Sequence, residues 1–227
     1  MFSPNEYLDL SQCAHPALFK DLIYAWDPLK KISDYLQTEL KPGIFGSRLG
    51  SSFIGDTVFI GKGTVIEPGA TIKGPVWIGE GCQIRSGCYI RENVIVGDGV
   101  VLGNSCEFKN CVIFNGAEIP HFSYVGDSIL GYKAHLGAGV ILSNFRLDRK
   151  EISIRYEGTA IATGLRKFGA IIGDRVEIGC NSVISPGSLI GRESMIYPLT
   201  HFSGVLAANT ILQNRQDLRK IPRQHHQ

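Results

Sequence analysis

The chain has 227 residues, 44% of them hydrophobic, with 27 glycines, a formal net charge of +2 and a sequence pI near 8.2. That length and balance suit one globular domain with at most a small appendage, and the charge is too mild to indicate a nucleic-acid partner. No apolar run approaches the ~18 residues of a membrane helix. The start, "MFSPNEYLDL", lacks the basic and apolar regions of a secretory signal, so no membrane partner and a cytoplasmic location are expected.

In chain order, residues 1–50 read as a helical cap. "HPALFKDLIYAW" and "DPLKKISDYLQTEL" each place proline at a first helical position. In the second, Asp27 is the expected N-cap, Leu29, Ile32, Leu36 and Leu40 keep helical spacing, and Pro42-Gly43 stops the helix. Such a segment is expected to close the open end of whatever follows, or to dock another chain.

A strict period of six follows. Ile54, Ile60, Ile66, Ile72, Ile78, Ile84, Ile90, Val96, Leu102 and Phe108 keep register, and a small or β-branched residue sits four places after each, from Val58 through Cys82, Cys88 and Cys106 to Val112. The pattern slips by one residue at Ile113 and again at Leu130, breaks over 142–170, and resumes from Ile172 to Phe202. Three short strands per coil build a triangular prism, with the aliphatic and small residues inside and glycine at the turns. Blocks of 15 and six units give about seven coils over 51–210, with 211–227 left as a tail. Cys82, Cys88 and Cys106 then fill the core, whereas Cys13, Cys111 and Cys180 lie off that row.

The register also says which polar residues face out. In "EIPHFSYVGDSILG", Ile119 is inward and Ser123 is the small residue, so His121 sits at an outward corner, either as a general base or as exposed decoration. Lys73, Arg91 and Lys109, spaced by one coil of eighteen, stack as a column of three cations, which is either a solvated face or a phosphate site. Glu107 and Tyr124 stack around the corner from Lys109. The break at 142–170, rich in Arg and Lys, is longer than connections normally run and is expected to be functional or to pack on another subunit.

"LGNSCEFKN", "PHFSYVGDSILG", "LGAGVILSN" and "GLRKFGAIIGD", in this order, resemble the acetyltransferase domain of the glucosamine-1-phosphate N-acetyltransferase/uridylyltransferase family and of the archaeal-type sugar-1-phosphate nucleotidylyltransferase/acetyltransferases. The resemblance covers about Ile54 to Ala207 and implies an all-β solenoid, a left-handed parallel β-helix. It also implies acetyl-CoA as co-substrate, no metal, and a homotrimer with sites between adjacent prisms. It places the base on His121 with Tyr124 and Glu107 beside it, and the sugar-phosphate contacts on Arg91, Lys109, Asn144 and Lys150. The thioester region falls at Ala138 and the coenzyme groove at Cys180. The implied reaction is N-acetylation of an amino-sugar 1-phosphate, most simply glucosamine 1-phosphate, on the way to UDP-N-acetylglucosamine. Two positions depart from the pattern: His135 stands where an asparagine is expected, and Ile152 where a second loop lysine is expected.

The roughly 50 residues before the prism hold no glycine-rich nucleotide loop, so only the acetyl transfer is expected of this chain. The alternative is a non-catalytic β-helix subunit that assembles with a separate nucleotidyltransferase chain. Other acyltransferases of the repeat, such as those using acyl carrier protein, lack this loop pattern. A zinc enzyme on the same fold needs three converging histidines, which the spacing of His121, His135 and His201 does not provide.

Overall fold

The computed structural model describes residues 1–215 and 220–222; part of the 211–227 tail lies outside the described residues. The prism is there, and it is longer than the sequence suggested. Its three faces are parallel sheets of nine, nine and eight strands. Strand pairing begins at Gly43–Ile44 and ends at Ile211–Leu212, so about nine turns replace the expected seven. The extra rungs escape the repeat because the open ends no longer enforce the inward row: Ile44, in register with Ile60, is 47% exposed, Arg48 stands in register with Ile66, and Leu212, in register with Ile196, is only half-buried.

Inside, the aliphatic row is fully buried from Ile60 to Ile190 and forms one continuous core. Burying each such side chain contributes about 1.5–3 kcal/mol. Rungs repeat every eighteen residues where Val76 pairs with Val94, and every seventeen where Val94 pairs with Cys111 and Val112 with Ile129. These are the slips seen in the sequence, with one correction. The residue is lost before Cys111, so Cys111 takes the small inward position and Val112 points outward. Burial accordingly pushes the Cys111 thiol far above its ordinary range.

The first face has a second apolar surface. Its outward column, Phe59, Trp77, Ile95, Val112, Ile129, Ile171, Leu189 and Val205, pairs rung to rung along most of the prism. The N-terminal segment covers that column and does not close the open end. Phe2 meets Tyr156 edge-on at 5.5 Å, and the Asp9 N–H donates to Asp174 Oδ2 at 2.7 Å. Farther along, the Asn115 N–H donates to the Gln12 carbonyl and His15 lies edge-on to Trp77 at 4.5 Å. Residues 2–15 therefore run from the late coils toward the early ones, and the chain then doubles back, the Ala25 N–H donating to the Phe2 carbonyl at 2.8 Å. Its helices are shorter than predicted: Pro16–Phe19 and Asp27–Lys30 are 3-10 turns, and only Ile32–Glu39 is a two-turn α-helix. Tertiary burial of Leu18, Phe19, Trp26 and Leu29, more than helix propensity, holds it in place.

The excursion at 142–170 is a structured element. Ile152–Tyr156 and Thr159–Leu165 form an antiparallel hairpin closed through Glu157 and Gly158. Ile152, Ile154 and Phe168 are buried against the N-terminal segment and the same outward column. No helix among the described residues is long and apolar enough to cross a membrane.

Candidate functional site

His121 ends the strand Glu118–His121 on the second face and is exposed. Its backbone is fixed from three sides. Asn104 pairs with it from the rung below, and a Cβ on Gly103 would fall 1.9 Å from the Pro120 carbonyl carbon, so glycine alone lets this strand settle there. The His121 carbonyl accepts from Ser123 Oγ at 3.0 Å and from the Gly139 N–H at 3.1 Å. Phe122, at φ +52°, turns the corner immediately after it. The result is a free imidazole on a held backbone, directly below the 137–139 turn.

On the third face, around the corner from His121, Glu107 pairs with Tyr124 across the rung; Glu107 and Lys109 share the strand Glu107–Lys109 on either side of inward Phe108, so they lie on one face and not on two as the period suggested. The cation column also stacks, since Ile72 lies over Ile90 and Arg91 donates its N–H to the Phe108 carbonyl one rung on. However, its members are not free. Lys73 lies 5.0 Å over the Tyr89 ring, Arg91 pairs with Glu107 at 2.9 Å and with Glu92 at 3.3 Å, and Lys109 sits 3.6 Å from Asp127. The bond from Glu107 raises the Arg91 pKa further. The face is charge-balanced, which explains how a cation ladder survives stacking at strand spacing.

Asp127 is the residue that sequence reasoning missed. It is buried at φ +48° and gathers the cluster: Asn110 Nδ2 donates to Oδ1 at 2.9 Å and Asn144 Nδ2 to Oδ2 at 2.5 Å. Asn144 Nδ2 also donates to Tyr124 Oη at 3.1 Å. Burial first, then the Asp127 charge, holds the Tyr124 hydroxyl above its ordinary pKa. The signal for Asp127 was the glycine-aspartate pair in "YVGDS", which reads as turn chemistry unless the slip after Val125 is followed to its contacts.

The structure thus joins Arg91, Glu107, Lys109, Tyr124 and Asn144 into one cluster on the face that follows His121 around the corner. Lys150 stands apart: its side chain is exposed, and its backbone N–H donates to Asp148 Oδ1 at 3.2 Å. The missing second loop lysine also has a physical reason, because Ile152 is 1% exposed in the hairpin core, where an ammonium would be unpaired. His135 is held by Glu177, Nδ1 to Oε2 at 2.8 Å. On the same second face a groove of about 470 Å³ is lined by His135, Gly137, exposed Cys180, Met195, Tyr197 and Pro198. Ala138 borders it, its carbonyl accepting from the Asn181 N–H at 2.8 Å.

Pairing changes what Lys109→Ala is expected to do. It strands a buried carboxylate, so stability should fall by about 1–3 kcal/mol in addition to any effect on ligand. Chemical denaturation compared with exposed Lys73→Ala, which should cost under about 1 kcal/mol, checks this. Equal midpoints for the two variants would show that Lys109 does not support Asp127.

Residues 72–165 match the family model described as the GMPPB C-terminal domain. The bifunctional sugar-1-phosphate nucleotidylyltransferase/acetyltransferase of Sulfurisphaera tokodaii is 46% identical over 92 residues, 40% of this chain and 23% of that protein. The bifunctional protein GlmU of Methanococcus maripaludis is 37% identical over 178 residues, 78% of this chain and 43% of that one. An uncharacterized Escherichia coli acetyltransferase, YaiX, is 43% identical over 141 residues, 62% of this chain and 61% of it. Among solved structures, a mutant of the perosamine N-acetyltransferase of Caulobacter crescentus, in complex with CoA and GDP-perosamine, aligns with a TM-score of 0.41 at 18% identity, over 65% of this chain and 51% of that one. The match to the two bifunctional relatives spans less than half of their length. The prism is a hexapeptide-repeat β-helix, and its sequence is similar to part of the bifunctional sugar-1-phosphate nucleotidylyltransferase/acetyltransferases, as its motifs indicated.

Proposed function

We propose that this chain transfers the acetyl group of acetyl-CoA to the amine of an amino-sugar phosphate or sugar nucleotide, with glucosamine 1-phosphate the first acceptor to test. The observation that carries the reading is the exposed His121 imidazole on a backbone fixed by Ser123 and Gly139. An imidazole changes charge near neutral pH and suits removal of the amine proton. The amine nitrogen adds to the thioester carbonyl while His121 accepts its proton. The C–S bond then breaks, and the proton passes to the departing CoA thiolate. The groove beside Cys180 is the place for the coenzyme, with its thioester near Ala138. In that turn the Gly137 and Gly139 N–H groups already donate to Ile178 and His121 carbonyls, which leaves the Ala138 N–H for the developing oxyanion.

His121 and the Lys109 cluster lie on an open corner, which supports a trimer whose neighbouring prism supplies the missing wall. Light scattering at micromolar concentration is expected to give three chains. A monomer that still turns over would remove the need for a shared site. Acetyl-CoA turnover against a panel of amino-sugar phosphates and nucleotide-linked amino sugars tests the reaction itself. One observation favours the second reading, a non-catalytic subunit beside a nucleotidyltransferase: Arg91 and Lys109 already hold carboxylates in place of phosphate. Absence of turnover with every acceptor, in a correctly assembled protein, selects that reading.

A further inference from the structure

We propose that Asp127 is a positioning residue that fixes the orientation of the Asn144 carboxamide and, through it, of the Tyr124 hydroxyl, so that the acceptor meets a carbonyl oxygen and a hydroxyl donor. The inference rests on the acetyl-transfer reading above, because it takes Asn144 and Tyr124 as acceptor contacts.

A carboxamide has a donor end and an acceptor end of nearly equal size, and only its partners decide which way it faces. Asp127, paired with the Lys109 ammonium, presents acceptors only. Its Oδ2 therefore requires the NH2 end of Asn144, which lies 2.5 Å away. The second proton of the same NH2 is directed to Tyr124 Oη at 3.1 Å. Two consequences follow. Asn144 Oδ1 is turned away from Asp127, free to accept from an amine. The Tyr124 oxygen is occupied as an acceptor, so its own proton is left to donate. Its raised pKa, caused first by burial and then by Asp127, keeps that proton in place.

Asp127 is itself over-determined. Its N–H donates to the Lys109 carbonyl at 2.9 Å, and its carbonyl accepts from the Gly169 N–H at 2.8 Å. Asn110 Nδ2 occupies its other carboxylate oxygen at 2.9 Å. The charged groups facing Tyr124 are Asp127, Glu107 and Arg91; the Glu107 carboxylate is held by the Arg91 guanidinium at 2.9 Å, and it is Asp127 that bonds the Asn144 amide.

Asp127→Asn is the test, because it keeps the shape and offers Asn144 an amide in place of an acceptor-only group. With its NH2 placed toward Asn144, the new residue favours the opposite face of that carboxamide. The acceptor amine then meets N–H instead of C=O. For the amino-sugar acceptor, kcat/KM should fall about ten- to hundredfold. The inhibition constant of the hydroxyl analogue, glucose 1-phosphate, should stay within about twofold, since a hydroxyl can donate or accept. A purely structural role would weaken both alike. The second readout needs no activity: in asparagine-labelled protein, the Asn144 side-chain protons should be protected from solvent exchange, and Asp127→Asn should reduce that protection tenfold or more. If Asp127→Asn does not fold with Lys109 unpaired, Asp127→Asn combined with Lys109→Met removes both charges and is read by exchange alone. Unprotected Asn144 protons in the wild type, unchanged protection in the variant, or equal losses for amine and hydroxyl ligands would each overturn the proposal. Should the wild-type chain acetylate no acceptor, the functional reading fails, and the exchange measurement still decides the orientation.

Discussion

Replacing His121 with alanine is expected to lower kcat by about two to four orders of magnitude, the usual contribution of a positioned general base. Stability should change by less than about 0.5 kcal/mol, because the imidazole is exposed and its strand is held by backbone bonds. That separation is what makes the experiment decisive. The Ser123 hydroxyl and the Gly139 N–H bind the His121 carbonyl, which alanine retains, so the 137–139 turn should not move. The KM for acetyl-CoA should accordingly stay near the wild-type value. His121→Ala protein that assembles normally and acetylates at the unmutated rate would return the histidine to decoration.

The direction His121 faces could be read from the sequence, because a strict six-residue period leaves no freedom: once Ile119 is inward, His121 is outward. The same logic stacked Glu107 under Tyr124, across a slip that shortened one rung to seventeen residues. What the period could not give is everything perpendicular to it. Inward residues answer to one narrow core. Outward residues answer to whatever lies on that face, and a rule about turns and core says nothing of it. The pairing of Arg91 with Glu107 and of Lys109 with Asp127 was hidden for that reason. The position of the N-terminal segment was hidden too, although one signal was present. Every third unit places Phe, Trp, Ile, Val or Leu just before its inward residue, as in Phe59, Trp77, Ile95, Val112 and Ile129. A solvent-facing strand would carry polar residues there, so this column announced a covered face. The Cys111 error had a smaller cause: a one-residue deletion at a corner can be placed on either side of it, and only the strand pairing decides.

The largest stability effect is expected at Phe168. Its ring is fully buried where the excursion returns to the prism, 6.1 Å from Trp26 and in the same cluster as Ile152 and Ile154. Truncation to alanine leaves a cavity at the junction of three elements and should cost about 3–5 kcal/mol. The loss should be local. Phe168 belongs to the flank cluster, whereas the prism interior is a separate core built from its own inward rows. Phe168→Ala is therefore expected to unfold in two steps, the N-terminal segment and hairpin opening before the prism. Trp26, fully buried, reports the first step by a red-shifted emission, and far-ultraviolet dichroism of the strands reports the second. Function should follow the first step. The Phe168 N–H donates to the Asn144 carbonyl at 3.0 Å and the neighbouring Gly169 N–H to the Asp127 carbonyl at 2.8 Å, so the flank supports from behind the two residues proposed to organise the acceptor side. Acceptor KM should rise at temperatures where Trp26 emission has shifted and the strands remain intact. A single cooperative transition, with emission and dichroism coincident, would instead show that the flank and the prism fold as one unit.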